Sequence, residues 1–448
     1  MQARAFTEAS PRKFALIALI LLPAFVVYAI LYREMVAIPL LDDYHAIFAF
    51  LLHLQRLPSF ADKLIYIVAA QHTDYKLIFE HLIVAMQFSL MHRISLGVLI
   101  VLGNLFLLGL LAIYWKQYFT NENDLVRRLI LFLPISYLIF QLNFAETVDW
   151  AMAGLQNLPV IVFSLASISF LVLPGKKAFG LACLSAAMAS LSSANGFLLG
   201  PLGLLILLQH KKYRKLLPWC ITFAIVLAMY LYRYVGADRV STASVYLKTR
   251  FFLSFLGGGI ENMHHFPIKN ASTVLGCVIL FIVGHAVRTR YYRDNPFAFF
   301  SCTWILLTAA LVASVRSSFG LEQSLSGRYK IYCDLLLIFC YGYIVHRFTS
   351  VPALPRRVKR AYVLALVSVL AFSAASDLVG YKFLERRRAR LEEGIKTYRA
   401  NPSRNSPMLS PDDRPIEDLG GLPENARVLM NQAIERSIYT LPPSRSSQ

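Results

Sequence analysis

Long apolar stretches separated by short polar connectors recur along most of the chain. Most of these stretches have about 17–25 residues, which is enough to cross the hydrocarbon core of a bilayer as an α-helix. The pattern therefore predicts an all-α, polytopic transmembrane helical bundle. We count about eleven candidate spans, at residues 14–32, 95–115, 126–142, 157–173, 178–193, 195–209, 216–235, 271–288, 297–315, 329–346 and 361–379.

The polar connector after the first span, residues 33–94, is the most chemically varied part of the sequence. Its segment Pro39–His81 places carboxylate, imidazole and ammonium groups beside apolar runs that are too short to cross a membrane. We expect these runs to form juxtamembrane helices. If the protein catalyses a reaction, this loop is the part that we expect to carry it.

Composition supports a membrane protein and orients it. The 448 residues are 57% hydrophobic and 16% charged, whereas soluble domains are about a quarter charged. Lys and Arg cluster in short connectors between the spans, so the positive-inside rule predicts a cytoplasmic N-terminus and puts the loops 33–94, 141–156, 236–270 and 316–328 on the outer face. Residues 1–380 then form the transmembrane domain, and residues 381–448 form a C-terminal soluble tail that we expect outside.

The net charge of +19 does not predict binding to nucleic acid, because the basic residues follow the membrane pattern. Anionic lipid headgroups are the expected partners of these connectors. The six cysteines lie in apolar segments without a CxxC motif, so neither a disulfide framework nor a thiolate metal site is expected. No motif for a soluble cofactor is present, and we predict none. Carboxylates and imidazoles of the first loop leave a divalent cation open as an alternative, although we assign no metal ligand.

Asp42 and Asp43 stand between the first span and the apolar run 46–52. Partial desolvation at a membrane surface raises the pKa of a carboxylate, which suits a general base that takes a proton from a hydroxyl group. The alternative is that the pair caps an interfacial helix, since Asp is favoured at the N-cap and in the first turn. Both interpretations hold if one aspartate caps the helix and the other is the base.

The later segment QHTDYKLIFEH, residues 71–81, continues the polar character of the loop. A helix here would place His72, Lys76 and Glu80 on one stripe, with Asp74 and His81 on another. We interpret it as a polar surface helix with one stripe facing a cavity; the alternative is a surface ion pair between Lys76 and Glu80. Together with His45, these side chains are the candidate substrate-binding groups of the loop.

Two further outer loops contain candidate binding residues. In residues 141–157, Trp150 could stack on a sugar ring while Glu146 and Gln156 bond its hydroxyl groups, although Trp is also typical of the interfacial aromatic belt. Arg316 and Arg328 flank the loop 316–328, where a guanidinium group can grip a lipid phosphate. Snorkelling of these arginines to headgroups is the alternative.

These segments resemble the GT-C superfamily of polytopic glycosyltransferases, particularly its bacterial GtrII-like and dolichyl-phosphate-mannosyltransferase-like members. The resemblance rests on Asp42-Asp43 after the first span, QHTDYK in the same loop, SANG at 193–196, GRY at 327–329 and the alternating basic connectors. It covers residues 1–380, and the tail lies outside it.

The resemblance implies a bacterial inner-membrane enzyme that moves a sugar from a polyprenyl-phosphate donor to a lipid or glycan acceptor, with inversion and with the active site facing the periplasm. Asp43 or Asp42 would be the base, and Lys76 and Arg328 would bind the donor phosphate, with Arg316 as a weaker candidate. Two alternatives use a similar outer cavity: a transporter or flippase for lipid-linked glycans, and a glycan polymerase or ligase.

Overall fold

The computed structural model describes residues 11–120, 122–236, 242–261, 270–349, 356–402 and 426–443. These residues are predominantly helical and contain no β-strand, so the predicted all-α helical bundle is confirmed. In a bilayer each backbone N–H and C=O has to be satisfied within the segment, which favours helices, and apolar side chains suit the hydrocarbon core.

The structure has eighteen α-helices in its described residues, joined by short 3₁₀ turns and one π-helix at Tyr44–Ala49. In chain order they are α1 Pro11–Glu34, α2 Phe50–Leu54, α3 Phe60–Ala69, α4 Ile78–Met91, α5 Leu96–Gln117, α6 Leu125–Ile139, α7 Ala145–Val148, α8 Ala151–Val172, α9 Lys176–Ser192, α10 Leu199–Gln209, α11 Leu216–Leu231, α12 Val245–Leu256, α13 Ala271–Arg288, α14 Tyr291–Asp294, α15 Pro296–Arg316, α16 Gly327–Thr349, α17 Arg356–Ala400 and α18 Ala426–Glu435.

Among the described residues, eight helices are long and apolar enough to cross a membrane, not about eleven as the sequence predicted. Helix α9 has 17 residues, at the lower limit for crossing a bilayer, and α10 has only 11. Helix α16 has 23 residues but carries Arg328, Lys330, Asp334 and Arg347. The eight helices are consistent with a multi-pass membrane protein.

The chain divides into two compact units, which we describe separately. The loop unit comprises Glu34–Phe106, Glu146–Val240 and Lys382–Gln448, and the helix unit comprises Met1–Arg33, Leu107–Ala145 and Ser241–Tyr381. The first loop and the C-terminal tail thus belong to the same unit.

In the loop unit, α8 packs along α9, and the SANG segment then turns the chain into α10. A Cβ atom on Gly196 would lie 2.3 Å from the backbone carbon of Ala189, so only glycine fits this turn. The tail packs into the interior of this unit, since Met430 and Ala433 of α18 and the following Ile438 are fully buried.

In the helix unit, the apolar run 251–260 does not cross a membrane. It forms the end of the 12-residue helix α12 and a glycine-rich 3₁₀ turn, Gly258–Ile260. Helix α12 packs against α13 and α15. The turn approaches α16 at Cys333 and Asp334, which brings a polar group into an otherwise apolar interior.

Candidate functional site

The segment that carries the two aspartates leaves α1 in an extended conformation and then turns sharply. Leu41 has a φ of 42°, in the left-handed region that a leucine rarely occupies. The π-helix Tyr44–Ala49 follows directly after Asp43. Strained residues and π-helical turns persist only where the surrounding structure stabilises them. Both are frequently found at functional sites.

Asp43 is buried, with 1% of its surface exposed, and three N–H groups hold its carboxylate. The indole of Trp150 and the backbone N–H of Met152 donate to Oδ1 at 3.1 and 3.0 Å, and the N–H of Leu40 donates to Oδ2 at 2.9 Å. Burial raises the pKa of Asp43 to about 7, with help from the charge of Asp42, while the three bonds oppose the rise. Asp43 therefore joins the start of the first loop to the start of α8.

Asp42 is the accessible member of the pair. Its side chain is 22% exposed, and its Oδ1 lies 3.5 Å from Nε2 of the buried His72. His72 stands in a tight turn in which its backbone exchanges two hydrogen bonds with Tyr75, and the next residue, Thr73, has a φ of 49°. The carboxylate and the imidazole thus each adjoin a residue in the left-handed region. The exposed ring of His45 lies 6.5 Å from that of His72.

This turn corrects the predicted helical stripe. Helix α4 begins only at Ile78, so His72 and Lys76 do not share a helix face with Glu80. Within the described residues, both carboxylate oxygens of Glu80 are buried without a hydrogen-bond partner. Burial raises the pKa of Glu80 well above its usual value, and the charges of Asp43 and Asp42 add to the rise.

His81 follows Glu80 on α4 and is also buried. Its ring stacks on Phe50 at a centroid distance of 4.1 Å. Burial lowers the pKa of His81 to about 3, so its imidazole is neutral at physiological pH. It is therefore an aromatic packing group in this structure, and its predicted contact with substrate stays a prediction.

Lys76 is fully buried, and its ammonium group is already engaged. Its Nζ donates to the carbonyl oxygen of Val68 at 2.9 Å and to that of Tyr232, while its backbone N–H donates to the hydroxyl of Tyr230 at 3.3 Å. Burial lowers the pKa of Lys76. A contact with a donor phosphate would require this side chain to leave both carbonyls, so that role stays a prediction.

The other predicted residues of the loop unit are partly exposed or committed elsewhere. Trp150, predicted to stack on a sugar, is 2% exposed and uses its N–H on Asp43. Asp74 accepts a hydrogen bond from the hydroxyl of Thr73 at 3.0 Å. Glu146 and Gln156 are half-exposed on α7 and α8.

The two predicted phosphate-binding arginines belong to the helix unit. Both are half-exposed: Arg316 lies over the ring of Phe319 at 5.6 Å, and Nε of Arg328 is 3.4 Å from the hydroxyl of Ser326. In the same unit, the amide of Asn143 donates to both oxygens of the buried Asp334 at 3.0 Å. This pair was not among the residues predicted from the sequence, although a single acidic residue inside an apolar run is a recognisable signal.

A metal centre is not apparent in the part of the chain that the structure describes. No three His, Cys, Asp or Glu side chains there come close enough together to hold a metal ion. The carboxylates and imidazoles of the first loop are instead distributed over a buried layer, with Asp43, Glu80 and His81, and an accessible layer, with Asp42 and His45.

Comparison with known proteins adds no assignment. No protein-family model, no curated protein and no solved structure matches this chain. The geometry of the first loop is therefore the main basis for a functional proposal.

Proposed function

We propose that this protein is an integral membrane glycosyltransferase of the GT-C type. It would transfer a sugar from a polyprenyl-phosphate donor to an acceptor hydroxyl group, at the outer face of a bacterial inner membrane. The observation that carries the proposal is the accessible Asp42 carboxylate beside the His72 imidazole, each next to a residue with left-handed backbone conformation, Leu41 and Thr73.

In this proposal Asp42, not Asp43, is the general base. Asp42 reaches solvent, while Asp43 is enclosed and accepts three N–H bonds. His72 orients the carboxylate of Asp42. Asp43 and Trp150 fix the position of the turn and thereby the position of Asp42. Catalysis requires its groups to be placed within a fraction of an ångström.

The reaction follows from these roles. Asp42 takes the proton of the acceptor hydroxyl as its oxygen forms a bond to C1 of the sugar. The bond from C1 to the phosphate oxygen breaks on the opposite face, and its electron pair leaves with the phosphate. The configuration at C1 is inverted, and the positive charge that develops at C1 resembles the transition state of glycoside hydrolysis. A cationic group has to stabilise the departing phosphate. The resemblance implies Lys76 and Arg328 for this role, with Arg316 as a weaker candidate.

The test is transfer of a radiolabelled sugar from a polyprenyl-phosphate donor in proteoliposomes. We expect Asp42→Asn to lower turnover at least a hundredfold, in line with the loss of a general base. The matched control is Asp62→Asn, an acidic residue of the same loop that only receives a bond from Ser59 at the start of α3. Equal turnover in the wild type and Asp42→Asn would show that Asp42 is not the general base.

One observation favours a second candidate, a flippase or transporter for lipid-linked glycans. Asp334 is fully buried within the apolar helix α16, and ionisable residues inside membrane helices frequently mark transport pathways. The same proteoliposomes distinguish the two functions, because a transporter would move labelled donor between leaflets without forming a product.

A further inference from the structure

A groove in the helix unit is independent of the proposed transferase site. It has a volume of about 290 Å³ and lies between α13 and α16. Its apolar surface includes Phe281 and Ile344, which are 77% and 42% exposed. Its lining residues are Phe281, Ile282, His285, Tyr343, Ile344 and Arg347.

The groove ends in polar groups, most of which are already bonded to each other. The hydroxyl of Tyr343 is 2.5 Å from Nδ1 of His285 and 2.9 Å from Oγ1 of Thr289. Arg347, in the last turn of α16, is exposed and makes no hydrogen bond or ion pair with the residues that the structure describes. It is thus the cation available to a ligand at this end.

The surroundings of Arg347 are strongly basic. The contact between Tyr343 and Thr289 brings the end of α16 to the stretch from the end of α13 through α14, which contains Arg288, Arg290 and Arg293. The acidic group of this stretch, Asp294, lies 3.6 Å from the imidazole of His346. An anion at the end of the groove therefore meets an excess of positive charge.

We propose that the groove binds an anionic phospholipid of the surrounding leaflet, with an acyl chain against Phe281 and Ile344 and the phosphate on Arg347. The apolar walls match a hydrocarbon chain, and a guanidinium group binds a phosphate bidentately. Basic pockets between membrane helices are the usual form of such lipid sites. An arginine that only snorkels to headgroups would need no groove beside it.

The experiment measures lipid binding to the purified full chain in detergent by native mass spectrometry. The probes are dioleoyl phosphatidylglycerol, which is anionic, and dioleoyl phosphatidylcholine, which is zwitterionic. We expect the wild type to bind the first lipid more tightly. Arg347→Gln should lower its affinity about fivefold, the effect of one arginine near a membrane surface, and leave phosphatidylcholine unchanged.

Two further variants separate the site from general attraction. Ile344→Trp fills the groove, so it should weaken binding of both lipids while the protein elutes as a single folded species. Arg290→Gln removes a nearby exposed charge that does not line the groove, and it should lower the affinity for phosphatidylglycerol less than Arg347→Gln does. Equal binding of both lipids by the wild type, or an equal loss in Arg290→Gln and Arg347→Gln, would overturn the proposal.

Discussion

The hydroxyl of Tyr439 donates a hydrogen bond to the carbonyl oxygen of Ala37 at 2.6 Å. Tyr439 is close to the end of the described tail, and Ala37 comes directly after the first span. A second bond, from the N–H of Ile94 to the carbonyl of Ile438 at 2.7 Å, joins the tail to the other end of the first loop. These contacts hold the tail against the first loop, so we expect both to lie at the same face of the membrane.

We expect a membrane-impermeant thiol reagent to confirm this arrangement. Ala61→Cys in the first loop and Arg436→Cys in the tail are both exposed positions, and both should be labelled from the same side of oriented vesicles. The control is Lys211→Cys. It lies at the far end of α11 from Val235, which bonds to Gln71 of the first loop, so it should be labelled only from the other side. Labelling of residues 61 and 436 from opposite sides would contradict the prediction.

The same contacts bear on the number of crossings. Seven of the eight long apolar helices follow the first loop, and an odd number of crossings would leave the tail on the opposite face. An even number of crossings is therefore expected after the first loop, which requires either that another helix crosses or that one of the seven does not. Helix α16, with 23 residues, is long enough, and its charged residues explain why hydropathy alone does not select it.

A buried ion pair explains how a basic tail can belong to the unit of the first loop. Nη1 of Arg387 lies 3.8 Å from Oδ2 of Asp149, and both side chains are at most 4% exposed. Next to it, Arg388 contacts the buried Glu34 at 3.1 Å. The basic run 385–390 thus finds acidic partners within its own unit. Burial raises the pKa of Asp149 to about 7, and the positive charge of Arg387 opposes the rise.

We predict that Arg387→Met destabilises the protein most above pH 7. An acid whose pKa is raised on folding contributes stability below its unfolded pKa and loses it as the pH rises through the folded pKa. Removing Arg387 raises the folded pKa of Asp149 further, so this loss extends to higher pH. The melting temperatures of the variant and wild type should be close at pH 6 and diverge at pH 8, where the added loss of stability is at most about 1.4 kcal/mol for the one pH unit above the wild-type pKa. In the double variant Arg387→Met/Asp149→Asn, the pH dependence of the melting temperature that Arg387→Met adds should disappear.

The local part of the fold could be predicted from the sequence because it depends on segment length and polarity. Apolar runs of sufficient length form helices in a bilayer whatever surrounds them. The first loop was also recognisable, since its polar groups are concentrated in few residues. The span count was wrong where length was marginal, as in α9, or where charges interrupt an apolar helix, as in α16.

The arrangement within the site could not be predicted, because contacts distant in sequence determine it. Asp43 is anchored by Trp150, 107 residues away, and Tyr439 reaches Ala37 across 402 residues. The stripe through Lys76 failed for the same reason: its ammonium bonds to Tyr232, and the chain turns at Thr73 instead of forming a helix. Periodicity describes only neighbours within a few positions, so it contains no information on these partners.

Glu80 gives a direct test of the buried carboxylate layer. Its raised pKa means that the wild type loses stability as the pH rises above about 4.5, by at most about 1.4 kcal/mol per pH unit up to the folded pKa. Glu80→Gln is neutral at every pH and should escape this loss. We therefore expect the variant to gain melting temperature over the wild type as the pH is raised from 5 to 8. Glu435→Gln, at an exposed position, should follow the wild type. A constant difference between Glu80→Gln and wild type would show that Glu80 is ionised throughout.

In the helix unit, the 3₁₀ turn Gly258–Ile260 tests how tightly the Asp334 group is packed. A Cβ atom on Gly259 would lie 3.1 Å from both Oδ1 of Asp334 and Sγ of Cys333, closer than most real contacts of this kind. Both neighbours are buried on α16, and Asp334 is also held by Asn143, so neither can move freely. Gly259→Ala should therefore destabilise the protein by about 1–3 kcal/mol, as overpacking does. The control Gly284→Ala meets nothing within 4 Å on α13 and should be neutral or stabilising by up to about 1 kcal/mol. Melting curves of both variants in the same detergent compare the two directly. A Gly259→Ala protein as stable as the wild type would mean that the residues around Asp334 move to accommodate the added methyl group.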